Sequence, residues 1–394
     1  MSVAAGTRLN LPGADGSLTS WSPGPAPELP APDRRPPRTR ACLAAAHVVA
    51  DPAAAGDPVA APAVDWEATM AYRRHLWSHG LGVADAMDTA QRGGALGWPL
   101  ARELIRQSAA ESRATGGRLA CGAATDQLEP DVPASLDSIR DAYLEQCELI
   151  ESEGATVVVM ASRHLAAAAS GAADYRAVYD AVLERSRAPV ILHWLGAVFD
   201  PALAGYWGAR DPADALDAVA GLIADHAARV DGIKVSLLDA PLEIALRDRL
   251  PDGVRLYTGD DFHFPELIRG DARGASDALL GVFDAIAPVA AAALRALDEG
   301  DPERFDRLLA PTVPLARHLF ASPTAHYKVG VVLLAYLNGH QNHFRMLGGL
   351  EGARSIAHLA DVVRLADAAG ALADPERAAR RFRPVLQLAG VDQP

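Results

Sequence analysis

The feature that constrains this chain most is an alternation. Short apolar runs at 41–49, 82–87, 118–124, 155–161, 189–195, 232–237, 254–259 and 278–283 read as buried parallel strands. Longer stretches with helical character fall between most of them, for example 134–153, 174–187 and 211–229. Ser135 and the Asp211-Pro212 pair are start signals for the first and last of these helices. Eight strands in βα alternation fit a closed (β/α)8 TIM barrel over residues 41–288. An open doubly wound sheet is the rival, but no GxGxxG turn follows the first strand to support it.

The flanks differ in character. Residues 1–40 carry closely spaced prolines, which forbid a regular helix, and read as an extended arm on the body. After Pro288 helices dominate, at 289–299, 302–309, 324–338, 351–369 and 375–382, forming a C-terminal helical region over 289–394. The segment 324–338 is apolar around most of its circumference, so it needs cover on more than one side. A homodimer or homotetramer is the expectation, the alternative being that helix 351–369 supplies the cover within one chain.

Composition narrows the function classes. A net charge of −13 with no long basic run argues against a nucleic-acid partner. The three cysteines are far apart and form no CxxC pair, so neither a disulfide framework nor a cysteine zinc site is expected. The most apolar stretch, 278–297, is broken by Asp284 and Pro288 and does not fit a membrane span. No secretory signal pattern is present, and a cytoplasmic location is the expectation.

Chemistry is concentrated around Asp231-Gly232-Ile233-Lys234-Val235-Ser236. Side chains alternate along a strand, so Ile233 and Val235 face the outer helices while Lys234 and Ser236 face the barrel interior. An interior lysine is expensive to keep charged, and a neutral amine is the form that attacks a carbonyl. A lysine paired with an interior carboxylate fits the same spacing. Other polar groups gather at the expected strand ends: His47, Asp85, Asp88, Asp126, His164, His193, Asp260 and Asp261. A histidine there can shuttle protons, and Asp261 fits capping of the next helix.

The ordered motifs resemble the dihydrodipicolinate synthase and N-acetylneuraminate lyase superfamily, as a divergent branch. Gly232-Ile233-Lys234 is similar to the Gly-(Ile/Phe)-Lys of the family's sixth strand, whose lysine forms an imine with a 2-oxo acid. Tyr257-Thr258-Gly259-Asp260-Asp261 resembles the Ser-Gly-Asp-Asp end of strand seven, and 270–288 the Gly-rich eighth-strand segment. Residues 299–309 resemble the helix that the family places over the barrel edge, and the ordered match spans 41–370.

Two departures stand out. Asp88-Thr89-Ala90-Gln91-Arg92 replaces the usual Gly-Thr-Thr-Gly-Glu, which keeps only Thr89. Met160-Ala161-Ser162-Arg163-His164 has no proton-relaying tyrosine. These changes point away from a pyruvate-specific synthase and toward a larger, more polar carbonyl compound.

The resemblance implies a lyase of aldolase or dehydratase type acting on a small-molecule carbonyl substrate, a 2-oxo acid or keto-sugar-like metabolite. Lys234 would be the nucleophile, with His193, His164 and Arg163 managing protons and the anionic end. Thr89, Asp88, Asp126, Ser236 and Asp260 would bind substrate, and neither a cofactor nor a metal is required. Histidines and carboxylates on several strand ends also fit a divalent-metal sugar isomerase or epimerase, and a non-catalytic metabolite-binding barrel is the third alternative.

Overall fold

Two separate apolar clusters divide the molecule, and the alternation of side chains along the strands creates both. The computed structural model describes residues 7–130 and 132–394. Strands β1 (Leu9–Pro12) and β2 (Leu18–Trp21) form an antiparallel hairpin. The barrel strands are β3 (Cys42–Ala45), β4 (Gly82–Asp85), β5 (Leu119–Ala123), β6 (Thr156–Val159), β7 (Val190–Leu195), β8 (Val230–Ser236), β9 (Arg255–Thr258) and β10 (Asp277–Leu280). All neighbours pair in parallel and β10 closes onto β3, so the fold is a (β/α)8 barrel. Leu43, Ala84, Ala120, Val158, Ile191, Tyr257 and Leu279 fill the lumen. Residues of opposite parity, such as Val83, Leu192, Ile233, Val235 and Leu256, join the helices in the larger outer core.

Each expected strand is present, shorter than its apolar run except for β8, which begins earlier, at Val230. The run 278–283 ends as a strand at Leu280, and Val282–Ala285 becomes a helical turn. The expected helix starts hold, with Ser135 accepting from the Ser138 amide and Asp211 from that of Ala213.

The N-terminal arm starts as a hairpin, an element the prolines alone do not suggest. Leu9 and Leu11 are buried, and Arg364 donates to the Leu11 carbonyl (3.0 Å) and the Thr19 hydroxyl (2.7 Å). Farther along, Asp367 accepts from the Gly24 amide and Asp298 from the amides of Arg38 and Thr39. The arm is therefore pinned to the C-terminal helices.

Every residue of helix Tyr327–Leu337 is buried within the one chain. It packs against helices Thr312–Leu319, Ile356–Ala368 and Pro375–Leu388 and against the turn after β10. The case for a homodimer or homotetramer from this segment therefore loses its physical basis, because the chain covers the apolar surface itself. Among the described residues no helix is long and apolar enough to cross a membrane.

Two buried carboxylates, one at the end of a barrel strand and one on an outer helix, differ in character. Asp85 at the end of β4 takes Arg73 Nη2 at 2.8 Å and Nε at 3.1 Å, plus the Ser108 hydroxyl, all fully buried. Arg73 also donates to the His47 carbonyl, so the pair ties the first helix to the barrel rim. Glu243, on helix Ala240–Arg247 outside the wall, accepts from the hydroxyls of Thr258 (2.9 Å) and Ser276 (2.8 Å). Burial outweighs those bonds and pushes its pKa up to about 8.

Two predictions follow from these groups. Asp85→Ala leaves a buried guanidinium without its partner and is expected to cost about 3–5 kcal/mol. A lowered urea midpoint checks this, and an unchanged midpoint would show that water reaches Arg73. For Glu243 the folded pKa lies above the unfolded value, so its stabilising contribution is full at acid pH and is lost as pH rises through the folded pKa of about 8. Glu243→Gln cannot ionise, so urea unfolding should show a flatter decline across this window than in the parent. Parallel declines would sink this assignment.

Candidate active site

β8 carries the centre of the site. Ile233 and Val235 lie in the outer core, so Lys234 and Ser236 project into the barrel near its C-terminal end, both buried. In register, His193 on β7 lies opposite Lys234, and Tyr257 on β9 lies on the other side. His193 Nε2 is 3.2 Å from the Ser236 hydroxyl. Gly259 follows β9 where no larger residue fits: a Cβ there would stand 2.2 Å from Ser236 Oγ and 2.8 Å from Lys234 Cε. This glycine keeps open the space that the lysine uses.

The electrostatics run in opposite directions for the two central charges. Burial pushes the Lys234 pKa below the ordinary lysine value, while Asp261 and Asp88 pull it partly back. Burial raises Asp261 well above the usual carboxylate range, against the pull of the Val282 amide and Lys234. Asp261 Oδ1 accepts that amide at 2.8 Å, which holds the carboxyl across the gap between β9 and β10. Burial, reinforced by Lys234, lowers the His193 pKa, so the imidazole is neutral.

The expected roles of the two neighbouring aspartates are exchanged. Asp260 is the capping residue: Oδ1 accepts from the amides of Phe262 and His263, and Oδ2 lies 2.9 Å from the His263 ring. With both oxygens engaged by its own loop, Asp260 is turned away from substrate binding. Asp261 faces Lys234 instead, keeping the inward parity of Tyr257 and Gly259 beyond the end of β9.

A further wall comes from outside the barrel. Of 394 residues only two are lysines, Lys234 and Lys328. Lys328 is buried on helix Tyr327–Leu337 and donates to Asp88 Oδ1 at 2.8 Å. The adjacent Tyr327 hydroxyl lies 2.7 Å from that of Thr89, and its ring stacks on Phe320. A Cβ on Gly281 would stand 3.0 Å from the Tyr327 ring and 3.5 Å from Thr89 Oγ1. The loop after β4, the loop after β10 and helix Tyr327–Leu337 thus converge beside Lys234.

Other expected site residues are turned to different partners. Asp126 is bound by Arg92 through two 2.6 Å contacts and by Gln146. His164 lies at 3.0 Å from the Thr125 hydroxyl and 3.3 Å from the Glu129 carbonyl, so both ring nitrogens are occupied. Arg163 is exposed and pairs with Asp200 at 2.5 Å. Arg92 and Asp200 satisfy the two charged groups, and neutral oxygens satisfy His164, so each is engaged outside the barrel interior. Among the described residues no group of three or more His, Cys, Asp or Glu is arranged to hold a metal ion, so the isomerase alternative gains no geometric support. A cavity lined by Arg34, Trp77 and Arg118 opens beside the starts of β4 and β5, at the end of the barrel away from Lys234.

Sequence reasoning missed Tyr327 and Lys328. The available signal was the scarcity of lysine, which makes a single lysine inside an otherwise apolar helix conspicuous.

Solved structures with this architecture include the dihydrodipicolinate synthase of Cyanidioschyzon merolae, with TM-score 0.64, 16% identity, and coverage of 85% of this chain and 99% of that one. That of Aquifex aeolicus has TM-score 0.59 and 13% identity, covering 90% and 99%. The 4-hydroxy-tetrahydrodipicolinate synthase of Methylacidiphilum fumariolicum has TM-score 0.58 and 17% identity, covering 83% and 99%. At such identities the likeness is one of fold. Among curated proteins no sequence matches. A family model described as a protein of unknown function, DUF993, matches residues 9–391. With that match running over nearly the whole chain, the protein belongs to the DUF993 family, on a barrel fold shared with the dihydrodipicolinate synthases.

Proposed function

We propose that the protein is a Schiff-base-forming lyase of aldolase or dehydratase type, with Lys234 as nucleophile and a small carbonyl compound as substrate. The observation that carries this reading is the placement of Lys234: buried at the C-terminal end of a barrel strand, with its amine biased toward the neutral form. The neutral amine would attack the carbonyl carbon, and loss of water from the carbinolamine would leave a protonated imine. Breaking a C–H, C–C or C–O bond beside it sends an electron pair into or out of the enamine formed there. The imine is the electron sink, so the reading invokes no cofactor.

The buried hydroxyl pair of Thr89 and Tyr327 suits the proton movement, since each can donate and accept. Neutral His193, held against Ser236, suits a second transfer on the opposite side. Asp261, with its raised pKa, can pass a proton to or from Lys234 as water leaves.

Incubation with 2-oxo acids or keto sugars and borohydride should add mass to the peptide carrying Lys234, and Lys234→Ala should abolish both labelling and turnover. Activity retained in Lys234→Ala would reject the reading. The pH dependence of imine formation gives a second check. Because the folded pKa of Lys234 is depressed, the rate should rise with pH and level off well below the ordinary lysine pKa of about 10.4. Asp261 pulls that pKa upward, so Asp261→Asn should move the rising limb to lower pH. A limb that stays in place or moves upward would show that Asp261 does not act on Lys234.

A further inference from the structure

The polar atoms beside Lys234 are matched to a particular kind of ligand. Asp88 Oδ2 is buried and has no hydrogen-bond partner, while its other oxygen is held by Lys328. A carboxylate oxygen only accepts, so its missing partner must be a donor. His193 Nδ1 is also buried and unpartnered, and His193 lies next to Lys234 in the sheet register. A hydroxyl satisfies that nitrogen in either tautomer, because it both donates and accepts. A substrate carboxylate could do neither for Asp88.

The supply of cations leads to the same result. Arg73, Arg92 and Arg163 belong to the strand-end region, and each is taken by an aspartate: Asp85, Asp126 and Asp200. Lys328 is neutralised by Asp88. Among the described residues at this end of the barrel, these cations are already paired, and carboxylates at Asp88 and Asp261 face Lys234. An incoming anion would find each of these four cations already engaged by an aspartate.

We infer that the site takes an uncharged hydroxy ketone of the keto-sugar type, with a hydroxyl beside the reacting carbonyl bound by Asp88, and not the carboxylate of a 2-oxo acid. This rests on the imine reading above and narrows its substrate class. Asp88 acts as the specificity residue and Lys328 fixes its orientation.

Borohydride trapping with two probes, dihydroxyacetone and pyruvate, tests the inference on the intact protein. With only two lysines in the chain, peptide mapping assigns a lysine adduct to Lys234 or Lys328 without ambiguity. Half-maximal labelling of Lys234 is expected at a concentration about tenfold lower for dihydroxyacetone than for pyruvate, the size of one hydrogen bond to a charged group. In the paired variant Asp88→Asn with Lys328→Met, which leaves no lone buried charge, that preference should vanish while labelling persists. Equal or better labelling of Lys234 by pyruvate in the parent protein overturns the substrate class and leaves the imine reading standing. A preference kept in the paired variant overturns the role of Asp88. An adduct on Lys328, or none on Lys234 with either probe, overturns both.

Discussion

A lysine inside a barrel has two ways to exist, charged beside carboxylates or neutral in a dry surround, and this protein holds Lys234 between them. The parity of β8 makes the placement unavoidable, since Ile233 and Val235 must join the outer core. Burial then disfavours the ammonium, while Asp261 and Asp88 favour it. Neither side wins outright, which is the condition in which an amine can give up a proton near neutrality and take it back. The rest of the site follows from keeping this balance: Gly259 leaves room for the side chain, Val282 anchors Asp261, and Lys328 fixes Asp88.

The helix Tyr327–Leu337 shows how an apolar element can carry polar chemistry. Its residues are buried throughout, yet it presents a tyrosine hydroxyl and an ammonium to the loop after β4. Placing Lys328 in such a helix is tolerable because Asp88 meets it directly. The contact couples two regions that lie far apart in sequence, so the packing of the C-terminal helices sets the geometry beside Lys234.

Much of this was legible in the sequence, for identifiable reasons. Strand alternation is a local pattern with a fixed period, so the barrel and the inward direction of Lys234, Ser236 and His193 could be read from spacing. Loops have no such period. Asp261 nonetheless keeps the inward alternation of Tyr257 and Gly259, while Asp260 caps its own loop, the reverse of the roles expected of them. Arg163, His164 and Asp126 are of suitable type for a site, but their partners Asp200, Thr125 and Arg92 come from other segments. Tyr327 and Lys328 meet Thr89 and Asp88 across more than two hundred residues, a pairing that no short-range pattern encodes.

The hairpin at the start of the chain is tied to its end. Asn10 bonds Gln393 through both its amide and its carbonyl, and Arg383 donates to the Arg8 carbonyl. The last helix, Pro375–Leu388, packs on both β1 and the helix that bears Lys328. During synthesis the barrel strands all emerge before any of these C-terminal partners exist. The hairpin must wait for them, and so must the loop after β4. The wall that Tyr327 and Lys328 form beside Lys234 is therefore completed only after the barrel strands have emerged, and a chain released early would lack it.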